Sequence, residues 1–275
     1  MALSGEDSLV AAMAAGQDII ITKASRTSVA FGWFSTFDLT GQPGAGVLAG
    51  TSTTVGVVPT DATAGTVPIN AFVGGGIGYI GGVSFSSSVA CRLQVADMVF
   101  KAGAYGFAAG TTNLATQPSY VARMPGSDYK GTQIWIEVTT AFVTGTAWQV
   151  QVTYTNQDGT AAKSTVILPA SAAAALTLGR MYRLDLAAGD TGVQKIDSVI
   201  VTNGGTAMTA GAFNVLVLRP LLNSLRVPLA GFGDMFGADK TLLKQVFADS
   251  ALVLLVNADS TASGLPDLTV TVINA

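Results

Sequence analysis

The clearest pattern in the chain is mid-sequence. Between Gln133 and Leu168, Ile134, Ile136 and Val138 alternate with Trp135, Glu137 and Thr139, and Trp148, Val150, Val152 and Tyr154 alternate with Gln149, Gln151, Thr153 and Thr155. A period of two is the mark of strands whose two faces meet different surroundings. Asp158-Gly159 supplies the positive φ of a tight hairpin turn. The pattern predicts a β-meander from Gln133 to Leu168, with the flanking segments completing its sheet.

On the C-terminal side the alternation continues. Tyr182, Leu184 and Leu186 predict one strand, Ile196–Thr202 and Ala212–Leu218 two more around a turn at Asn203-Gly204-Gly205, and Ala251–Val256 and Leu268–Ile273 the last two. Asp239 predicts a cap for a short helix through Ala248, with Leu242, Leu243, Val246 and Phe247 inward. Val83–Val99 predicts one or two strands on the N-terminal side. Residues 1–16 predict a helix capped by Ser4 and Asp7, with Leu9, Val10 and Met13 on one face and Gly16 beyond its end. Ile19–Thr22 predicts a brief strand.

Residues 23–75 break the alternation. Phe31, Trp33, Phe34 and Phe37 cluster first; Gly41-Gln-Pro-Gly-Ala-Gly and Thr-rich runs follow, punctuated by Pro43, Pro59 and Pro68. Such a stretch buries little by itself. It predicts an extended arm whose aromatic side chains order against neighbouring subunits; the alternative is a set of loops wrapping its own domain. The expected organisation is therefore a helix and strand over 1–22, an arm over 23–75 and a sandwich domain over 76–275. The fold class is all-β: an antiparallel β-sandwich, jelly-roll-like, with one or two short helices.

Composition narrows function more than fold. Hydrophobic residues make up 49% of the 275 and charged residues only 11%, where a soluble domain carries about 25% charge. No run reaches the about 18 apolar residues of a membrane span, and the first residues lack the basic and apolar regions of a signal peptide. The apolar surplus suggests surfaces covered by other chains, which predicts an oligomer, most simply a homotrimer. Net charge is −3 without a long basic run, so neither nucleic acid nor membrane is an expected partner.

The chemistry-bearing residues are few. There is no histidine, one cysteine (Cys91), and two glutamates, Glu6 and Glu137. The commonest general base is missing, and no cysteine cluster can form. Gly76-Ile-Gly78-Tyr-Ile-Gly81 has the spacing of a dinucleotide-binding turn, with Asp97 downstream. That chemistry needs a helix opening at the glycines, whereas Gly82-Val-Ser-Phe-Ser-Ser-Ser-Val favours a strand. Asp185 and Asp190 could face a calcium ion, though Asp-Gly and Gly-Asp pairs are turn chemistry first. Glu137 could serve a glycosidase only with a second carboxylate and is expected on a solvated or interfacial strand face. Trp135, Trp148, Tyr154 and Tyr182 could stack on sugars, but aromatic strand residues more often lie in cores. The sequence therefore predicts no enzyme, no cofactor and no metal. Arg219 and Arg226, each near a proline, fit subunit contacts through their planar guanidinium.

Gly41-Gln-Pro-Gly-Ala-Gly, Tyr154-Thr-Asn-Gln-Asp-Gly-Thr and Ala187-Ala-Gly-Asp-Thr-Gly-Val resemble segments of virion structural proteins of tailed bacteriophages, capsid decoration (cement) proteins above all. The resemblance runs over roughly residues 30 to 220 and rests on turn motifs within the same order of parts. It implies a structural virion protein on the capsid surface, binding the phage major capsid protein across neighbouring subunits as a homotrimer. The expected interface residues are Phe31, Trp33, Phe34, Phe37, Arg219 and Arg226. A tail or fibre protein with a carbohydrate-binding sandwich is the alternative.

Overall fold

A strand with one apolar face needs a partner on each edge and a second apolar layer beneath it. The computed structural model, which describes residues 5–73, 76–141, 148–169, 176–203 and 210–274, shows how this chain supplies both. In chain order the elements are α1 (Glu6–Ala14), β1 (Gln17–Lys23), β2 (Trp33–Ser35), β3 (Gly41–Gln42), β4 (Ser52–Val57), β5 (Gly78–Ser87), β6 (Cys91–Gly106), β7 (Gly110–Asn113), β8 (Gln133–Thr140), β9 (Trp148–Asn156), β10 (Lys163–Ser164), β11 (Leu168–Pro169), β12 (Arg180–Leu184), β13 (Val193–Asn203), β14 (Ala212–Val227), β15 (Gly233–Phe236), α2 (Ala238–Thr241), β16 (Gln245–Val246), β17 (Leu252–Ala258) and β18 (Pro266–Asn274). The fold is all-β and antiparallel, as the alternation predicts.

The chain forms two compact units rather than one sandwich. Unit 1 comprises the chain up to Gly46, Thr60–Asp97 and the chain from Leu221 onward; unit 2 comprises Val47–Pro59 and Met98–Pro220. These boundaries cut across the expected 1–22, 23–75 and 76–275. Two of them fall inside the long strands β6 and β14, which stay buried on both faces across the boundary and so give no sign of it.

Unit 2 is a sandwich. In one sheet β8 lies between β12 and β14, with Ile136 opposite Tyr182 and Val215. The other runs β10-β9-β13-β7, with β11 also on β9. Ile134, Ile136 and Val138 from the first and Val150, Val152 and Tyr154 from the second share one core. The predicted meander is thereby corrected. β8 and β9 belong to opposed sheets, because two apolar strand faces can stack across a core as readily as they can lie side by side. The Phe142-Val-Thr end of the expected first strand lies outside the described residues. The hairpin turn is as expected: β10 pairs with β9, and Gly159 has φ 79°. Asn156 closes it, its Oδ1 accepting from the Asp158 and Thr160 amides at 3.1 and 2.9 Å.

Unit 1 is also a sandwich. One sheet runs β15-β5-β18-β1-β3; in the other, β17 lies between β2 and β6. Ile19, Ile21, Val83, Phe85, Leu268 and Val270 face Leu93, Val95, Leu252 and Leu254. α1 is capped by Gly5 and Ser8, whose hydroxyl accepts from the Gly5 amide at 3.1 Å; Ser4 lies outside the described residues. Val10 faces solvent, 67% exposed. The helix expected from Asp239 to Ala248 stops at Thr241. Leu242 and Leu243 take positive φ, and Gln245 and Val246 pair with β5 instead. β13 and β14 do not pair with each other, since β13 lies between β9 and β7 and β14 lies against β8. The predicted turn at 204–205 lies outside the described residues.

Residues 23–73, expected as an arm ordering against other subunits, pack into their own units. Buried polar side chains hold the backbone. In unit 1 the Lys23 ammonium donates to the carbonyls of Leu39, Pro43 and Gly44 at 3.2, 2.8 and 3.3 Å. Arg26 grips both Asp38 oxygens at 2.6 and 2.7 Å, and the Thr66 hydroxyl donates to the Thr63 carbonyl at 2.6 Å. In unit 2 Asn214 donates to Leu48 O and accepts from Gly50 N at 2.6 and 2.8 Å. Lys101 reaches Val47 O, Tyr105 reaches Thr53 O and Arg123 reaches Pro59 O. A buried carbonyl must be satisfied, and these side chains do that where the irregular segment cannot.

Candidate functional site

The interface residues predicted from sequence separate into two groups. Phe34 and Phe37 are buried in unit 1, at 0% and 4% exposure, with the Phe37 ring against Gly46 and Gly65. Arg219 is buried too, and Trp33 is half-buried on β2. Four aromatic residues within seven positions looked alike in sequence, but strand pairing of β2 with β17 turns their side chains in different directions. Phe31 is the one that stays out, 75% exposed.

Phe31 is held in an unusual way. Its φ is 61°, a left-handed value that crowds the Cβ of a bulky residue. Its amide donates to Ala258 O at 2.7 Å, and the Asn257 side chain donates to its carbonyl at 2.9 Å. β17 thus fixes the backbone on both sides of the ring. Such strain persists where surrounding structure over-determines it, which is common at binding sites.

Beside Phe31 lies an open cleft of about 210 Å³, lined also by Cys91, Arg92, Arg226, Asn257 and Asp259. Arg92 on β6 is the cross-strand partner of Asn257 on β17, and the Asp259 amide bonds to Ala90 O at 3.2 Å. Sheet geometry therefore brings together residues from four sequence regions, Phe31 and Arg226 among them. Arg92 and Asp259 were missed in the sequence, since nothing local distinguishes them from other strand-end charges; cross-strand register was the missing signal. The Cys91 thiol is buried and held towards its protonated form. Burial pushes it above its ordinary value, a hydrogen bond with Ser87 works the other way, and the Asp259 carboxylate adds to the rise.

The other chemical candidates are accounted for by structure. Gly78 and Gly81 lie on β5 with no helix behind them; a Cβ at Gly78 would meet the Phe72 ring, and one at Gly81 the Met13 sulfur. Asp97 is fully buried, accepting from Ser250 Oγ at 2.9 Å and Ala251 N at 3.0 Å. Glu137 is not solvated. It is 2% exposed and accepts from Asn214 Nδ2 at 2.9 Å, because residues 48–50 cover that part of β14. Asp190 accepts from the Tyr154 hydroxyl at 2.7 Å and Asn156 Nδ2 at 2.8 Å. Burial works against its charge, but these two bonds outweigh it and hold the carboxyl below its ordinary value. Asp185 pairs with Arg183 at 3.1 Å. Among the described residues no group of three or more His, Cys, Asp or Glu could hold a metal ion, and no helix is long and apolar enough to cross a membrane. Trp135, Trp148 and Tyr154 are buried and Tyr182 is half-buried against Trp148, so these rings form no open platform for a sugar.

No protein-family model matches the chain, and no curated protein matches it. Among solved structures it is similar to the VP2 subviral particle of infectious bursal disease virus, with 10% identity, 94% of this chain and 80% of that chain covered, and a TM-score of 0.22. A T=1 particle derived from the same virus gives 9% identity, 94% and 77% coverage and a TM-score of 0.19. The T13 particle of that virus gives 11%, 94% and 76%, and 0.18. These are virus-particle structures, and at such TM-scores the likeness carries no weight for the function of this chain.

Proposed function

We propose that this chain is a structural protein of a tailed-phage virion, a decoration protein that binds the outer capsid surface across neighbouring capsid subunits. It acts as an oligomer, a homotrimer, and works by binding energy rather than by turnover. The observation that carries a binding role is Phe31, an aromatic ring held out to solvent on a strained, doubly fixed backbone. Aromatic and arginine side chains dominate binding at protein contacts, and Arg92 and Arg226 line the same cleft. Placement on a phage head rests on the resemblance of the three turn segments. Extra subunits bound across seams strengthen a shell under internal pressure, since many symmetric copies multiply weak contacts.

The test uses particles. Heads lacking this chain are expected to assemble normally and to release DNA at a lower temperature than complete heads. Adding the purified chain back restores the threshold, while Phe31→Ala fails to restore it with its fold intact. Heads of normal thermal stability without the chain sink this assignment, and loss of adsorption to host cells in those particles points instead to a tail role.

A further inference from the structure

We infer that the cleft beside Phe31 docks an acidic segment of a partner protein, whose carboxylates pair with Arg92 and Arg226 and whose apolar side chains cover the Phe31 ring. This deepens the binding role proposed above and rests on it. The argument is one of charge complementarity. Lys130, Arg183 and Lys195 are each paired with an aspartate two residues away, at 3.1, 3.1 and 3.2 Å. Arg92 and Arg226 are exposed, and among the described residues neither has an ion-pair partner. The cleft sets these two cations against one anion, Asp259, on a chain whose net charge is −3. A local excess of positive charge on an acidic protein selects an acidic partner. It also raises the rate of encounter, by an amount that salt reduces.

The remaining lining supports a chain segment rather than a small anion. Apolar surface is offered by Phe31 and by the exposed Pro228 in the cleft lining, and Leu229, next to Pro228 in sequence, is 69% exposed. A free carboxylate ion would leave that surface uncovered. Asn257 donates its amide to Phe31 O, which leaves its carbonyl oxygen to accept a backbone N–H. Asp259 disfavours a carboxylate beside it, so the acidic groups approach from the side of the arginines.

The probes are two fluorescein-labelled octapeptides, one alternating glutamate with leucine and one alternating lysine with leucine, titrated into the purified full chain by anisotropy. The glutamate peptide binds, and its affinity falls as salt rises. Arg92→Gln with Arg226→Gln weakens it by about tenfold or more, Phe31→Ala weakens it several-fold, and Arg92→Lys with Arg226→Lys recovers part of the loss. Equal binding of the lysine peptide, no binding of either peptide, or unchanged binding by the double glutamine variant overturns the inference. Sedimentation of the same variant addresses a second copy as occupant: an oligomer that falls apart when both arginines are lost also overturns it. The two readings fail separately. A chain that binds no glutamate peptide but still restores heads in a Phe31-dependent way keeps the decoration role and loses this docking chemistry.

Discussion

The two units are both antiparallel sandwiches, yet they fill their cores differently. Unit 1 packs aliphatic side chains, Ile19, Ile21, Val83, Leu93, Leu254 and Val270 among them. Unit 2 adds rings: Phe107 lies 4.8 Å from Phe213 and 5.1 Å from Trp148, and Tyr120 lies 5.6 Å from Tyr129, centroid to centroid. The aromatic unit sets large rings among its aliphatic side chains, and each ring fills more of the interior than any single aliphatic residue does. The aliphatic unit fills its core with smaller side chains and displays Phe31, its most exposed ring, at the surface. A core built of rings and a surface that offers a ring are opposite uses of the same side chain, and the sequence places both in short apolar clusters.

The sharpest way to break this comparison is to remove a ring from unit 2. Phe213 is fully buried between Phe107 and Tyr105. Phe213→Ala should cost about 3–5 kcal/mol, from lost transfer energy plus the cavity left behind. Single-tryptophan variants read the effect by unit in urea titrations, since Trp33 lies in unit 1 and Trp135 and Trp148 in unit 2. The transition seen by Trp148 should move most. Equal movement of the Trp33 transition would show that the two units unfold as one.

A smaller effect is expected at the unit 2 hairpin. Gly159 has φ 79°, and the nearest atom to a Cβ there is Gln194 Oε1 at 3.5 Å. Space is open, so the cost of Gly159→Val is backbone strain alone, about 1–3 kcal/mol. An unchanged melting temperature would mean that the turn tolerates a different backbone.

How much of this was legible follows from how local each determinant is. The all-β class and the Asp158-Gly159 turn were readable because period two and positive φ are properties of a few neighbouring residues. Strand partners were not, since Ile134 and Ile136 show the same alternation whether β8 pairs with β9 or stacks over it. Residues 23–73 read as an unanchored arm because their anchors lie far off in sequence: Asn214 holds Leu48, and Arg123 holds Pro59. α2 failed because Leu242 and Leu243 have helical spacing yet positive φ. Of the cleft, Phe31 and Arg226 were visible as an aromatic and a cation beside breakers; Arg92 and Asp259 become neighbours of them only through the register of β6 and β17.

The units should also part in alkali. In unit 1 burial lowers the Lys23 ammonium to about 8, against a smaller opposing pull from Asp38. The unfolded chain then binds more protons between pH 8 and about 10.5, so the unit 1 transition should gain stability as pH rises through that window. In unit 2 burial first, and the bond to Asp190 second, push the Tyr154 hydroxyl up to about 12. Burial raises Tyr105 and Tyr120 as well. Their stability is fully present below about pH 10, where unfolded tyrosine begins to ionise, and is lost as pH rises towards 12. Urea midpoints at pH 7, 9 and 11, read through Trp33 and Trp148, should diverge. Parallel curves would remove the distinction.

The smallest stability change is expected at the displayed ring, where function should still suffer. Phe31 is exposed, so replacing it by glycine removes little burial, while glycine accepts φ 61° without the crowding that a Cβ meets there. The relief of about 1–2 kcal/mol is offset by the extra freedom of glycine in the unfolded chain, about 0.5–1 kcal/mol. Phe31→Gly should therefore melt at the same temperature as the parent or slightly above it, with the Trp33 transition unmoved or raised. Restoration of the heads should fail and binding of the glutamate peptide should weaken several-fold, as for Phe31→Ala. A residue kept for packing gives the reverse result, a lower melting temperature with binding retained in the fraction that stays folded. That outcome would place Phe31 with Phe34 and Phe37 as a core residue and would erase the contrast between a ring that fills and a ring that is offered.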